Sequence, residues 1–172
     1  MKTFLLFLGL LMFQFGHAQT GDWNTYETDS FAISYPGSWT VDESGQIGTK
    51  LILMSTVESA KDKFAENVNI ILQNMTDSKL SLDGYVRLTE ESIPVYLNKA
   101  KIISSERLEG DSGEFHKLVY SSKQKKLKVY FIQYIYYVGD TVYIATFSTV
   151  KKEYEEQKVL GEEILNSFKI VK

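Results

Sequence analysis

The clearest structural signal in the chain is LKVYFIQYIYYVGDTVYIATFST, residues 127–149. It contains two apolar runs joined by Gly139-Asp140, a pair typical of a tight turn between antiparallel strands. On the first strand one face carries Leu127, Val129, Phe131 and Ile135, and the other carries Tyr130, Ile132, Tyr134 and Val138. On the second strand Tyr143, Ala145 and Phe147 oppose Val142, Ile144 and Thr146. Because both faces are apolar, the sequence predicts a sheet that is covered on both sides.

Two further strands precede this hairpin. Residues 101–108 and 114–121 alternate with a period of two. The first strand of the hairpin is predicted to begin at Lys126. The connections are Gly110-Asp111-Ser112-Gly113 and Ser122-Lys123-Gln124-Lys125. Connections this short join antiparallel neighbours, so the sequence predicts four consecutive antiparallel strands from residue 101 to residue 149.

The first half of the chain shows shorter strand patterns. Residues 30–35 alternate apolar and small side chains until Pro36-Gly37 ends the pattern, and residues 39–41 resume it. Short apolar runs at residues 51–54 and 68–72 are separated by a polar loop around residues 59–63. These runs are typical of buried strands.

Helical periodicity is present in two segments. The first has Ser81 as its cap and an apolar face made of Leu82, Tyr85, Val86, Ile93, Tyr96 and Leu97. Because Pro94 lacks an N–H, we expect this helix to kink or restart there. Residues 151–166 predict the second helix, in which Gly161 indicates a close approach to the sheet.

Together these elements predict an α+β fold, a three-layer α/β/α sandwich around a central, mostly antiparallel sheet. We expect Trp39, Phe147, Leu165 and Phe168 to point into its core.

The first eighteen residues are typical of a cleaved secretory signal peptide. Lys2 precedes an apolar run from Phe4 to Phe15, and Gly16-His17-Ala18 places small residues before the cleavage point. The run is shorter than the ~20 residues that a spanning helix needs. The sequence therefore predicts a leader at 1–18 and one domain at 19–172, in a periplasm or outside the cell.

Composition narrows the function further. The sequence has no cysteine, which excludes both disulfides and lipid attachment at a cysteine after the leader. It has 19 Lys and Arg residues and 22 Asp and Glu residues, which gives a formal net charge of −3. This charge argues against nonspecific nucleic-acid binding. No apolar run after the leader reaches the length of a membrane span.

Several local sequences, in this order and spacing, resemble the PsbP-like domains, which include periplasmic DcrB-type proteins and the eukaryotic import factors that bind the GTPase Ran. The matching pieces are residues 31–39 (FAISYPGSW), 64–70 (FAENVNI), 81–85 (SLDGY), 141–148 (TVYIATFS) and 164–170 (ILNSFKI). The resemblance spans nearly all of residues 19–172. It implies an α/β/α sandwich and an accessory or binding role, usually without catalysis, and it transfers no binding residue to this chain.

The strongest catalytic candidate is Gly110-Asp111-Ser112-Gly113, which is similar to the nucleophile segment of chymotrypsin-like proteases. The order is wrong, since His116 follows Ser112, and Gly, Asp and Ser are typical turn residues. We interpret the tetrapeptide as a hairpin turn and His116 as a histidine on the surface of a strand, with a ligand or pH-responsive group as the alternative.

Metal and polar binding sites have weaker candidates. One histidine without cysteine cannot form the usual zinc ligand set. Carboxylates at Glu66, Asp77 and Asp83 leave a hard-cation site open, although solvated loop acids are the simpler interpretation. Asn67 and Asn69 are predicted to lie on the face opposite Val68, where they either bond to backbone groups or line a polar cleft.

Lysines and tyrosines offer two possible interaction surfaces. Lys123, Lys125, Lys126 and Lys128 form a local basic patch, interpreted as protection of a sheet edge against pairing, with an anionic partner as the alternative. The tyrosines at 130, 134, 136, 137 and 143 are interpreted as core packing, with a binding surface as the alternative.

The sequence thus predicts an exported, non-catalytic accessory or binding protein of the bacterial envelope or extracellular space. It predicts no catalytic residue, cofactor or metal, an envelope protein as partner, and no nucleic acid. Two alternatives remain open: a small-molecule or lipid binder with a groove between sheet and helices, and a hydrolase with an unrecognised site.

Overall fold

The protein was analysed as a computed structural model that describes residues 22–57 and 64–171, so the predicted leader and the predicted loop at 59–63 lie outside the described residues. The helices are α1 (Leu82–Tyr96) and α2 (Tyr154–Asn166), and a 3-10 turn covers Gln46–Gly48. The strands are β1 (Trp23–Glu27), β2 (Phe31–Pro36), β3 (Thr40–Asp42), β4 (Leu51–Met54), β5 (Asn67–Asn74), β6 (Lys101–Gly110), β7 (Gly113–Gln124), β8 (Leu127–Val138), β9 (Thr141–Val150) and β10 (Lys169–Ile170).

The main sheet has seven strands in the order β3-β4-β5-β9-β8-β7-β6. All neighbouring pairs are antiparallel, and β6 to β9 follow one another as hairpins, which confirms the four predicted strands. Strand β5 pairs with β9, from Asn67 opposite Ser148 to Asn74 opposite Thr141. The two halves of the chain therefore meet at the centre of the sheet.

Helix α1 covers one face of this sheet. It begins at Ser81, whose Oγ accepts a hydrogen bond from the Gly84 N–H at 3.2 Å, as the sequence predicted. Val86 packs in a cluster with Ile135 and Ile144, and Ile93 packs in a second cluster with residues of β7 and β8. Burial of these apolar side chains stabilises the helix on the sheet.

The opposite face is covered by α2 and by a three-stranded sheet in the order β1-β2-β10. Gly161 of α2 lies so close to the sheet that a Cβ atom there would be 2.4 Å from Cδ1 of Phe147. The four predicted core residues, Trp39, Phe147, Leu165 and Phe168, are all buried in this layer. The α+β sandwich around an antiparallel sheet is confirmed.

Some details differ from the sequence prediction. Helix α1 does not restart at Pro94 but continues to Tyr96, because a proline in the last turn removes only the bond to the Glu90 carbonyl. Helix α2 begins at Tyr154, after a turn at 151–153 that the periodicity had included in the helix.

The small sheet was not predicted as a separate layer. Its strand β2 matches the predicted run at 30–35, but β3 belongs to the main sheet, so the turn at Pro36-Gly37 carries the chain between the two sheets. Strands β1 and β10 were not predicted from the sequence. Strand β1 is largely exposed and β10 has only two residues, so neither shows a clear pattern. Within the described residues no helix has the length and apolar character that a membrane span requires.

Candidate functional site

Ser112 lies in the turn between β6 and β7, as predicted. Its Oγ donates a hydrogen bond to the Phe168 carbonyl at 3.3 Å and accepts one from the Ile170 N–H at 3.1 Å. The hydroxyl thus holds strand β10 against the hairpin, and both of its bonds are to backbone groups.

His116 is buried, which corrects its interpretation as a surface histidine. The reason is that α1 packs over the face of β7 to which the ring belongs. Its Nε2 lies 2.6 Å from the Ser105 Oγ, and Ser105 also donates a hydrogen bond to the Glu90 carboxylate of α1. Burial, and then the positive charge of Arg107, hold the pKa of His116 below its usual value.

This arrangement links elements and differs from a serine–histidine–acid triad. In a serine–histidine–acid triad the acid bonds to the second imidazole nitrogen and the serine oxygen donates to the first. Here the carboxylate of Glu90 binds the serine, and Nδ1 of His116 is buried without a hydrogen-bond partner among the described residues. With Nδ1 unprotonated, the protons run from Nε2–H to Ser105 and from Ser105 to Glu90, which is a stable chain of bonds.

Arg107 also connects α1 to the β6–β7 hairpin. Its guanidinium forms an ion pair with Asp83 at the start of α1 and a second one, at 2.9 Å, with Glu114 of β7. Helix α1 is therefore tied to the β6–β7 hairpin at two points, through Asp83 and through Glu90. Neither Ser105 nor this pairing of Arg107 was predicted, because their alignment depends on the register of β6 against β7, which shifts between Ile102 and Ser104.

The three candidate carboxylates do not form one site. Asp83 pairs with Arg107, Asp77 is exposed in the loop before α1, and Glu66 is buried beside β9. Glu66 corrects the expectation of a solvated acid: its Oε1 accepts a bond from Thr149 at 2.9 Å. Burial, together with the neighbouring Glu153, raises the pKa of Glu66. Within residues 22–57 and 64–171 no three His, Cys, Asp or Glu side chains are grouped to hold a metal ion.

Asn67 and Asn69 lie on the face opposite Val68, as predicted. Asn67 donates from Nδ2 to the Ala65 carbonyl at 3.0 Å, a local backbone bond. Asn69 is half-buried opposite Thr146, which in turn accepts a hydrogen bond from Gln133 at 3.0 Å. The two asparagines border a polar strip of the α1 face.

The predicted tyrosines are mostly core residues. Tyr134, Tyr136 and Tyr143 are buried, whereas Tyr130 and Tyr137 are half-buried. Burial raises the pKa of Tyr134 to about 12, with the nearby Glu162 carboxylate adding to the rise. Their interpretation as core packing is confirmed for the buried three.

A groove runs along α1, and we call it the α1 groove. It lies between the helix and the chain that leads from the end of β5 to the helix, and its volume is about 410 Å³. Its apolar walls are formed by Met75, Leu80, Leu88, Ile93 and Leu97. This volume lies within the usual range for small-molecule sites.

The polar groups of the α1 groove are uncharged. The hydroxyl of Tyr85 donates to Oε1 of Gln73 at 2.5 Å, and burial raises the pKa of Tyr85. Thr89 bonds back to the carbonyl of Tyr85, and Ser92 adds a hydroxyl further along the helix. Among the described residues no Asp, Glu, Lys, Arg or His lines the groove.

Sequence reasoning named none of these lining residues as a site, although it allowed a groove between sheet and helices. The one feature of the sequence that could have indicated the groove was Leu88, an apolar residue outside the predicted apolar face of the helix. In the structure Leu88 is 44% exposed. Met75 and Leu80 gave no signal, because they belong to a loop whose path depends on the fold.

The lysines of the predicted basic patch are exposed around the turn between β7 and β8. Lys128 lies 5.4 Å from the centre of the Tyr130 ring, and the others extend into solvent.

The fold is similar to those of three solved proteins of low sequence identity. The cyanobacterial PsbP protein (CyanoP) of Synechocystis sp. PCC 6803 has a TM-score of 0.63 and 17% identity, covering 90% of this chain and 96% of that one. LpqN of Mycobacterium tuberculosis, described as involved in cell envelope biogenesis, has a TM-score of 0.60 and 11% identity, covering 90% and 87%. PA94 of Pseudomonas aeruginosa, described as a putative regulator of unknown function, has a TM-score of 0.59 and 14% identity, covering 86% and 96%.

No protein-family model matches the sequence, and no curated protein is similar to it by sequence. The likeness therefore concerns the fold, which extends over almost the whole described chain. The chain therefore has the PsbP-like fold, which the resemblance in sequence had implied.

Proposed function

We propose that the chain is an exported, non-catalytic accessory protein of the bacterial envelope or extracellular space. Residues 1–18 act as its cleaved leader and residues 19–172 form one PsbP-like domain. The sequence of the leader supports export. LpqN, which has a similar fold and is described as involved in cell envelope biogenesis, supports a role in the envelope. We infer a protein partner in the envelope and no role for nucleic acid.

The observation that carries the proposal is the chemistry of the α1 groove. It is open and apolar, and its described lining has no carboxylate, lysine, arginine or histidine that could act as a general acid or base. Such a lining supports binding better than catalysis. The contact between Ser105 and His116 adds support. The Glu90 carboxylate binds the serine and not the second nitrogen of the imidazole, so the three residues do not form a serine–histidine–acid triad.

Complementation of a deletion strain tests binding against catalysis. We expect Ser92→Trp, which fills the groove, to abolish function, and Glu91→Trp on the exposed side of the same helix to retain it. The double variant Ser105→Ala/His116→Ala should also retain function once thermal unfolding has shown that it is folded. A folded Ser105→Ala/His116→Ala protein without function would instead support the hydrolase alternative.

The α1 groove also favours a second candidate function, the binding of a small uncharged apolar ligand. Its lining combines apolar walls with the Tyr85–Gln73 pair, which offers hydrogen bonds without a charge. We expect the neutral dye N-phenyl-1-naphthylamine to bind at one site, with loss of binding in Ser92→Trp and no loss in Glu91→Trp. Equal binding by both variants would exclude the groove as the ligand site.

A further inference from the structure

One end of the main sheet brings together three connections that are distant in the sequence: α1 to β6, β7 to β8, and β9 to α2. The N–H of Lys123 donates to the Asn98 carbonyl at 2.8 Å, and the N–H of Lys151 donates to the Lys128 carbonyl at 2.8 Å. The antiparallel order therefore places side chains from all three connections on a single end of the molecule.

All three connections carry lysines. We define the basic end by the exposed residues Lys99, Lys101, Lys123, Lys125, Lys126, Lys128 and Lys151. Within residues 22–57 and 64–171, none of these lysines forms an ion pair. At the start of α2, Glu153 pairs with Lys152 and Glu155 pairs with Lys158. Glu156 is exposed there and forms no ion pair among the described residues. The positive charge of the basic end is therefore available to bind a partner.

Protection of a sheet edge does not explain this cluster. An edge lysine prevents pairing when it lies on an edge strand, and β6 is such a strand. Strands β7, β8 and β9 are internal, so the lysines on their turns protect no edge. In addition, Lys99 and Lys125 have φ angles of 51° and 52°, in the left-handed region where glycine or asparagine is more favourable.

The opposite end of the sheet is acidic. Asp111 lies in the turn between β6 and β7, Asp140 in the turn between β8 and β9, and Asp77 in the loop before α1, all of them exposed. The formal net charge of −3 therefore conceals a separation of charge along the strands. A molecule with this charge separation is oriented by an anionic surface.

An exposed apolar pair adjoins the basic end. Val95 and Tyr96, at the end of α1 and just before Asn98 and Lys99, are 74% and 82% exposed. Tyrosine suits a membrane interface because its ring enters the apolar region while its hydroxyl stays in water. Lysines beside it bind anionic headgroups with their ammonium groups and lay their stems along apolar surface.

We propose that the basic end, together with Val95 and Tyr96, docks on the surface of a membrane that contains anionic phospholipids. The exposed valine and tyrosine favour a lipid surface over a nucleic acid or an acidic protein. The choice of lipid also rests on the export proposed above, which brings the protein to the envelope. Attachment through charge and side-chain insertion of this kind is reversible.

Co-sedimentation with vesicles tests the proposal on purified residues 19–172. We expect binding to vesicles that contain phosphatidylglycerol, little binding to phosphatidylcholine alone, and release as salt is raised. Lys125→Glu/Lys126→Glu should weaken binding by at least about tenfold. The matched control is Lys79→Glu/Lys169→Glu, which changes the net charge equally but lies at the opposite end.

Three results would overturn the docking proposal: equal weakening by both double variants, binding independent of phosphatidylglycerol, or binding to double-stranded DNA or polyglutamate as tight as to vesicles. Replacement of Val95 and Tyr96 by serine should weaken vesicle binding. The vesicle binding that remains should be fully sensitive to salt. Because the purified domain is used, failure of export in cells leaves this result unchanged, and the two proposals fail separately.

Discussion

At the scale of single residues, the contact between Gly161 and Phe147 sets the distance between α2 and the main sheet. Phe147 is fully buried, and its ring occupies the space that a side chain at position 161 would need. Glycine inside a helix costs about 1 kcal/mol relative to alanine. The close packing of the Phe147 ring on the helix backbone compensates for that cost.

We therefore expect Gly161→Ala to destabilise the protein, although alanine is the better helix former. The added Cβ would meet the ring of Phe147 at 2.4 Å, and overpacking of this kind costs about 1–3 kcal/mol. Urea denaturation of purified protein measures the free energy of unfolding. The control Val159→Ala, at a position 58% exposed on the same helix, should change it by less than about 0.5 kcal/mol.

A second substitution identifies the cause. In a Phe147→Leu background the ring is absent, so Gly161→Ala should cost much less than in the natural sequence. Equal costs in both backgrounds would show that the ring is not the obstacle.

His116 shows what the sequence leaves open at this scale. Its alternation with Phe115 and Leu118 correctly predicted a strand and a sheet face. Whether that face is covered depends on the path of α1, which the spacing of residues in β7 does not contain. The partner Ser105 is still harder to predict, because the irregularity near Ile102 shifts the cross-strand pairing by a residue.

At the scale of elements, helix α1 is held on the sheet by both apolar and polar contacts. Its apolar side chains contact β7, β8 and β9, while Asp83 and Glu90 connect it to Arg107 and Ser105 of β6. The polar contacts depend on the charge state of His116, which lies between Ser105 and Arg107. Protonation of the imidazole would bring a second positive charge next to the guanidinium.

The attachment of α1 should therefore weaken in mild acid. The pKa of His116 in the folded protein lies below the unfolded value of about 6.5. In the window between these two values the unfolded chain binds more protons, so the free energy of unfolding falls as the pH is lowered from about 7.5. His116→Gln, which keeps a donor for Ser105 and does not titrate, should remove this part of the pH dependence.

Denaturation curves of both proteins over this pH range provide the measurement. Residues 19–172 contain no other histidine, so the difference between the two slopes reports His116 directly. A raised Glu66 pKa acts with the opposite sign and is common to both proteins. Identical slopes for natural protein and variant would contradict the assignment of His116 as the titrating group.

The elements that could be predicted are those with a long, regular pattern. Strands β6 to β9 and helix α1 extend over ten or more residues with a clear period. Strand β10 is too short to show a period, and β1 is too exposed. The α1 groove could not be located, since its wall at Met75 and Leu80 is a loop that the Met75 N–H fixes to the Asp140 carbonyl of a distant turn.

At the scale of the whole molecule, export is the property that most needs a direct test. We expect secretion to remove residues 1–18, because Gly16 and Ala18 meet the requirement of the peptidase for small residues. Intact mass of the exported protein should correspond to a chain that starts at Gln19. A protein that retains Phe4 to Phe13, or stays in the membrane after a high-salt wash, would show that the segment is an anchor.

The position of β9 in the sheet has a consequence for the order in which the chain can fold during synthesis. Strands β3, β4 and β5 gain their central neighbour only when residues 141–150 are available, and β2 gains its partner β10 only with residues 169–170. Until then β5 has only β4 as a neighbour in the sheet. We therefore expect the N-terminal half to complete its fold only after these later residues have been made, so that much of the chain would still be unfolded if it crossed a narrow channel before folding on the far side.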